Sequence, residues 1–242
     1  MIDDISSYSV RNFIPFIDEV YYRLFERQFE AWWPAHLLLL AAGVLALVFA
    51  WRGKTREVSV LLGLALAASA VTFHLRLYAE LTPVGKIFGW AFLVQAPLLL
   101  LWGFATKSRE VFLPKVPTIT GAAIAAFALA IYPALIFFTE RKGTGAEMFG
   151  MAPDPTMAFT LGILLMCARP IWLLLLFPIP LLWAATSGAT LDALGAPLAM
   201  VPPSLAGVAL AAAIWKAFTP ADPSPHARAH PSGGNGGPGT CG

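Results

Sequence analysis

This 242-residue chain is short of charge: Asp, Glu, Lys and Arg make up 12% of it, against 58% hydrophobic residues. Ordinary soluble domains carry about 25% charged and about 45–50% apolar residues. With 16 Lys and Arg and 14 Asp and Glu, the chain cannot cover a core with water-facing groups. That excludes a soluble globular fold and predicts an all-α polytopic membrane protein with the lipid bilayer as its main partner. There is no basic stripe or block of like charge, and the net charge is only +2, so nucleic acid is excluded as a partner.

Cysteine is also scarce. Cys167 lies in an apolar run and Cys241 at the extreme C-terminus, a pattern that makes neither a disulfide framework nor a close-spaced CxxC metal signature. The N-terminal MIDDISSYSVRNFIPF is acidic and lacks both a basic n-region and a small-residue cleavage site. No removable signal peptide is expected, and the first span directs insertion. No P-loop, GxSxG element, Rossmann fingerprint or paired-histidine haem motif occurs, so the familiar enzyme classes have no foothold and no cofactor is evident.

Long apolar runs, by contrast, are plentiful. A helix needs about 20 apolar residues to cross a bilayer, and four such runs are plain: Trp32–Trp51, Val58–Tyr78, Val84–Ala105 and Val116–Thr139. Thr156–Ala168 and Pro170–Ala185 are each short, and Arg169-Pro170 puts a charge and a helix breaker between them. They read as a tight helical hairpin turning at an interface, or else as one long kinked helix. A last run, Leu194–Phe218, is expected to be broken near its start by Pro202-Pro203. The total is seven spans, with six as the alternative.

The spans occupy residues 32–218. Before them, in segment 1–31, Ile17, Val20, Tyr21, Leu24 and Phe25 recur at helical spacing opposite Asp18, Glu19, Arg23, Glu26 and Arg27, which predicts an amphipathic interfacial helix or lid. After them, residues 219–242 are rich in Pro and Gly and predict a disordered tail. With seven spans, nine Lys and Arg fall on the C-terminal side (side B) and seven on the N-terminal side (side A), or four once the amphipathic segment is set aside. The positive-inside rule then puts the N-terminus outside and the C-terminus in the cytoplasm of a bacterial inner membrane.

Ionisable residues inside spans are functional candidates. No carboxylate lies mid-span; the scan yields His74 and Arg76 near the end of the second span and Gln95 in the third, which argues against a deep charge relay. Candidates therefore collect at side A: His36, His74, Arg76, Glu80 and Asp154. Imidazole with carboxylate suits a divalent metal or acid–base chemistry, although interfacial polar groups, with Arg76 snorkelling, explain the same residues. Methionine is confined to the C-terminal part after Met1. Met148, Met151 and Cys167 are a weaker candidate set for a soft ion such as Cu(I), and methionine also serves as ordinary packing filler. Small residues recur at Gly63, Ala67 and Ala70, at Gly121, Ala125 and Ala128, and at Gly207 and Ala211; such faces join helices within a bundle or between copies.

Three stretches together, RLFERQFEAWWPAHLLLLAAG, MFGMAPDPTMAFTLGILL and FPIPLLWAATSGATLDALGAP, resemble the bacterial multi-pass membrane family catalogued as domain of unknown function 6064. The elements Trp33-Pro34-Ala35 and Pro153-Asp154-Pro155-Thr156 are the most specific part. The resemblance implies a seven-helix membrane protein and no particular activity. The expectation is an integral membrane protein that handles or senses a small solute, or serves as a membrane subunit. The competing class is a metal-binding protein or membrane enzyme working at the outer face.

Overall fold

The computed structural model describes Arg11 and residues 14–106, 115–139 and 143–219. The tail from residue 220 on, with Cys241, lies outside the described residues. Among these residues there is no strand. The helices are α1 (Asp18–Trp32), α2 (Ala35–Trp51), α3 (Thr55–Leu81), α4 (Pro83–Ala105), α5 (Val116–Phe138), α6 (Pro153–Cys167), α7 (Pro170–Leu176), α8 (Pro178–Ala193) and α9 (Val201–Phe218).

The helix at the centre is α6. It is apolar on every side and all fifteen of its residues are buried, as expected of a helix with no polar face to offer solvent. Around it pack α2, α3, α5, α8 and α9. Its closest crossing is with α5, where Gly121 faces Gly162: a Cβ on Gly162 would stand 2.5 Å from the Gly121 carbonyl oxygen and 2.8 Å from the Ala125 nitrogen. Two backbones can approach this closely only without a side chain between them. The seam at Gly121, Ala125 and Ala128 is therefore spent inside the bundle, and Gly63 likewise faces α4. Gly207 and Ala211 on α9 are exposed.

Side-chain contacts fix which helix ends meet. At one end, end A, Asp154 at the start of α6 meets Tyr132 late in α5 and Ser187 late in α8, and shares a small cavity with Pro202 at the start of α9. At the other, end B, the Cys167 thiol meets the Ala50 carbonyl of α2, and Lys216 of α9 donates to the Leu165 carbonyl of α6. Consecutive long elements from α2 to α9 thus run alternately, with bent α7–α8 as one of them.

Four helices (α3, α4, α5 and α9) are long and apolar enough to cross a bilayer, and counting the bent pairs α1–α2 and α7–α8 as one span each makes six. The seventh expected span corresponds to α6, whose fifteen residues reach only about 22 Å at 1.5 Å per residue.

Several boundaries differ from expectation. The sixth run extends to Ala193 with a 49° bend between α7 and α8. There Pro178 and Pro180 supply no N–H to the carbonyls of Leu174 and Leu176. Pro202-Pro203 opens α9 rather than breaking it, because the first turn has no partner for those N–H groups in any case. The preceding residues turn through Gly195, whose φ of +72° suits glycine. The amphipathic helix α1 lies at 95° to α2, buries Tyr21, Leu24, Phe25 and Gln28, and leaves Ile17 and Val20 exposed.

Candidate functional site

The polar residues of end A form a buried knot around Asp154, which exposes 4% of its surface. Its Oδ1 accepts a hydrogen bond from Trp183 Nε1 at 2.6 Å. Its Oδ2 accepts from Ser187 at 2.8 Å and from Tyr132 at 3.2 Å. The sequence sets up this geometry: Asp154 lies between Pro153 and Pro155 in the first turn of α6, while Trp183 and Ser187 stand one turn apart on α8 and so share a face. A buried carboxylate is tolerated when it is hydrogen-bonded in this way. Three donors on two oxygens give Asp154 the chemistry of an anchor tying α5, α6 and α8 together.

Beside this knot, Gln28 of α1 donates to Thr72 of α3 at 2.8 Å and to the Met151 carbonyl at 3.2 Å. Thr156 accepts from the Gly150 N–H at 2.8 Å and donates to the Ala152 carbonyl. These contacts bolt α1 and the loop before α6 to the top of the bundle.

His74 is fully buried, and its imidazole lies against Phe92 at 4.4 Å and Trp183 at 4.7 Å between ring centroids. Its Nδ1 is 3.4 Å from the Ser69 carbonyl, while Nε2 has no partner among the described residues. Around it, between Ala70 and Tyr78, α3 widens into π turns, as α5 does between Phe127 and Ile131 just before Tyr132. Such widenings often mark functional positions.

The other candidates go different ways. His36 is buried against Phe29; among the described residues its Nδ1 has no partner and its ring neighbours include none of those of His74. Glu80 pairs with Arg27 at 3.3 Å, both 57% exposed, and the Arg76 guanidinium lies over the Trp32 ring. The Met151 sulfur faces the donors Gln28 and Thr72, Met148 is half-buried in the same loop, and Cys167 sits at the opposite end of α6. Among the described residues, no three of His, Cys, Asp and Glu lie close enough to hold a metal ion.

Sequence reasoning passed over Tyr132, Trp183 and Ser187, for which the one available signal was the i, i+4 spacing of Trp183 and Ser187. Nor did it show what Gln95, named within its span, or Lys216 would bind: both bond backbone carbonyls that lack a helical partner. Gln95 Nε2 donates at 2.8 Å to the Leu176 carbonyl, the one that Pro180 leaves without a helical partner. Lys216 donates to the Leu165 carbonyl in the last turn of α6, where a cation suits the helix dipole.

A cavity of about 390 Å³ at end A opens between the α3–α4 junction and α8. Ile14, Pro15 and Phe16 close one side, Val84, Ala185 and Ala189 line its apolar wall, and Tyr78, Thr82, Thr186 and Thr190 bring hydroxyls. Among the described residues, no charged one lines it.

Fold and site together define an all-helical bundle with four to six helices able to span a membrane and a carboxylate-centred anchor at one end. The chain belongs to a family of unknown function, DUF6064, whose family model matches residues 18–222. No curated protein and no solved structure matches it.

Proposed function

We propose that this protein is a seven-span integral membrane protein of the bacterial inner membrane that binds a small uncharged solute at its outer face, as a sensor or as the membrane subunit of a complex. The observation that carries this reading is the cavity of about 390 Å³ beside Tyr78 and Thr190. Its volume falls in the range of small-molecule sites, and its lining of hydroxyls and apolar groups suits a neutral, largely apolar molecule. A charged solute would lose its hydration there and gain no ion pair.

Seven passes follow if α6 counts as a span enclosed by protein. A helix sheathed by its neighbours need not match the hydrocarbon thickness, because lipid does not touch it. The alternation of helix ends supports this count, and the excess of Lys and Arg on side B supports a cytoplasmic C-terminus. If copies associate through small residues, the exposed Gly207–Ala211 face of α9 is the one left open to do it.

The test is mass spectrometry of small molecules released from protein purified in mild detergent, comparing wild type with Ala189→Trp, which fills the cavity. A neutral compound held by the wild type and lost from a variant of unchanged melting temperature is the expected result. A wild type that carries no such compound, or a variant that keeps it, overturns the reading.

A further inference from the structure

Four cations stand exposed at end B: Arg52, Lys54 and Arg56 in and just after the link between α2 and α3, and Arg169 in the link between α6 and α7. The two links adjoin, because the Cys167 thiol meets the Ala50 carbonyl. Among the described residues none of the four pairs with a carboxylate, and the ion pair that does form, Arg27–Glu80, is at end A. Glu57 is the one described acid at end B, and a step of one residue along a helix turns it about 100° away from Arg56. Positive charge at this end is therefore left unbalanced by the described residues.

Aromatic rings hold two of these cations in place. The Arg56 guanidinium lies 5.6 Å from the centre of the Phe104 ring, and the Lys54 amine 5.1 Å from that of Phe49. Phe104 is itself exposed, in the last turn of α4. A spanning helix turns such a residue outward to lipid, which puts Arg56 on the perimeter of the bundle.

Along α3, Arg56, Val60 and Leu64 follow one another at i, i+4 and i+8 and share a face, and both apolar residues are exposed. On α4, exposed Leu101 lies one turn from Phe104. The two helices touch along this stretch, with Gly63 against Leu100 and Gly103 against Ser59. A cation at the rim thus caps an apolar strip two helices wide. From Arg56 to Leu64 the strip runs about 12 Å at 1.5 Å per residue, close to the roughly 15 Å of hydrocarbon in one leaflet.

A ligand for this face has to be anionic at one end and apolar over the length of a chain. Guanidinium suits phosphate because its N–H groups match two phosphate oxygens, and Lys and Arg clustered beside a spanning helix attract anionic headgroups. Free phosphate would leave the apolar strip unused. A zwitterionic lipid would bring its own ammonium among the cations.

We propose that the α3–α4 face at end B is a binding site for an anionic phospholipid, with the headgroup phosphate on Arg56 and Lys54 and an acyl chain along Val60, Leu64, Leu101 and Phe104. The site lies at the opposite end from the cavity beside Tyr78, and does not depend on that cavity's being occupied or on which face of the membrane end B takes.

Native mass spectrometry of the full chain in detergent, titrated with phosphatidylglycerol or with phosphatidylethanolamine of the same acyl chains, tests it. Phosphatidylglycerol should bind about tenfold or more tightly than phosphatidylethanolamine, and the double variant Arg56→Gln, Lys54→Gln should lose about tenfold of that affinity. The control is Arg23→Gln with Arg27→Gln, which removes the same charge at end A and should leave binding unchanged. Should the end B double variant have a lowered melting temperature, Arg56→Gln alone is the second variant, with a loss of about fivefold expected. Equal binding of the two lipids to the wild type, an end B variant that binds as the wild type does, or an equal loss in the end A control overturns the proposal. So does displacement of the lipid by inorganic phosphate, which would show a site for the free anion.

Discussion

One indole joins two buried ionisable side chains at end A: Trp183 donates its N–H to Asp154 at 2.6 Å, and its ring meets the His74 imidazole edge-on with centroids 4.7 Å apart. A carboxylate on α6 and an imidazole on α3 are thereby held through a single residue of α8. The arrangement explains why a bundle with so few charges keeps these two inside, and it makes Asp154 the first residue to test.

Asp154→Ala leaves Trp183, Ser187 and Tyr132 without their common acceptor, and each unmet donor costs about 1–3 kcal/mol without full additivity. Thermal unfolding in detergent should show a loss of about 2–5 kcal/mol. Asp154→Asn should lose less than half of that, because an amide oxygen still accepts from Trp183 while both hydroxyls can turn to accept from the amide N–H. An unchanged melting temperature for Asp154→Ala would show that the three contacts do not anchor α6.

The glycine crossing calls for a contrast between positions. A methyl on Gly121 would fall on the Gly162 carbonyl, and one on Gly162 would strike the backbone of α5, whereas one on Gly207 meets nothing within 4 Å. Gly162→Ala should destabilise by about 1–3 kcal/mol as α5 and α6 are forced apart. Gly207→Ala should be neutral or stabilising by up to about 1 kcal/mol through helix propensity. Equal melting temperatures for the two variants would refute the close crossing.

At end B, Lys216 is 2% exposed and its ammonium faces the C-terminal turn of α6. Lys216→Met trades a charge-assisted hydrogen bond for relief from burying an amine, so its net effect should stay below about 1.5 kcal/mol. Lys216→Glu puts an unpaired negative charge against carbonyl oxygens and should cost about 3 kcal/mol or more. Folded yield and unfolding midpoints of the two variants decide the matter.

Topology has a chemical readout in the two thiols. Cys167 is 9% exposed and packed against Ala50, so a maleimide should reach it only after unfolding. Labelling of intact cells with a membrane-impermeant maleimide then reports on Cys241 alone. Labelling should appear only after the membrane is permeabilised. Labelling from outside would reverse the orientation argued from Lys and Arg.

The pair Arg27–Glu80 is exposed on both sides, and pairs of this kind contribute about 0–1 kcal/mol. Glu80→Ala should leave the melting temperature nearly unchanged, and a large loss would mean that Glu80 has a task beyond that ion pair.

The apolar runs, the amphipathic helix α1 and the crowding of polar residues at one end were legible in the amino-acid order, because hydropathy and helical period are local properties of a chain. Pro202-Pro203 was misjudged for a related reason: a proline breaks a helix or starts one depending on where the helix begins, and that depends on packing. The partners of Asp154 lie 22, 29 and 33 residues away on other helices, and no local pattern encodes such distances. His74 and Gln95, read separately, were isolated polar residues; only the packing of the helices shows the His74 ring against Phe92 and Trp183 and the Gln95 amide on the Leu176 carbonyl. Composition determined that this chain builds an apolar helical bundle. Tertiary structure decided which helix is enclosed at its centre and which few polar groups meet, because the cost of burying each one is set by its neighbours in space.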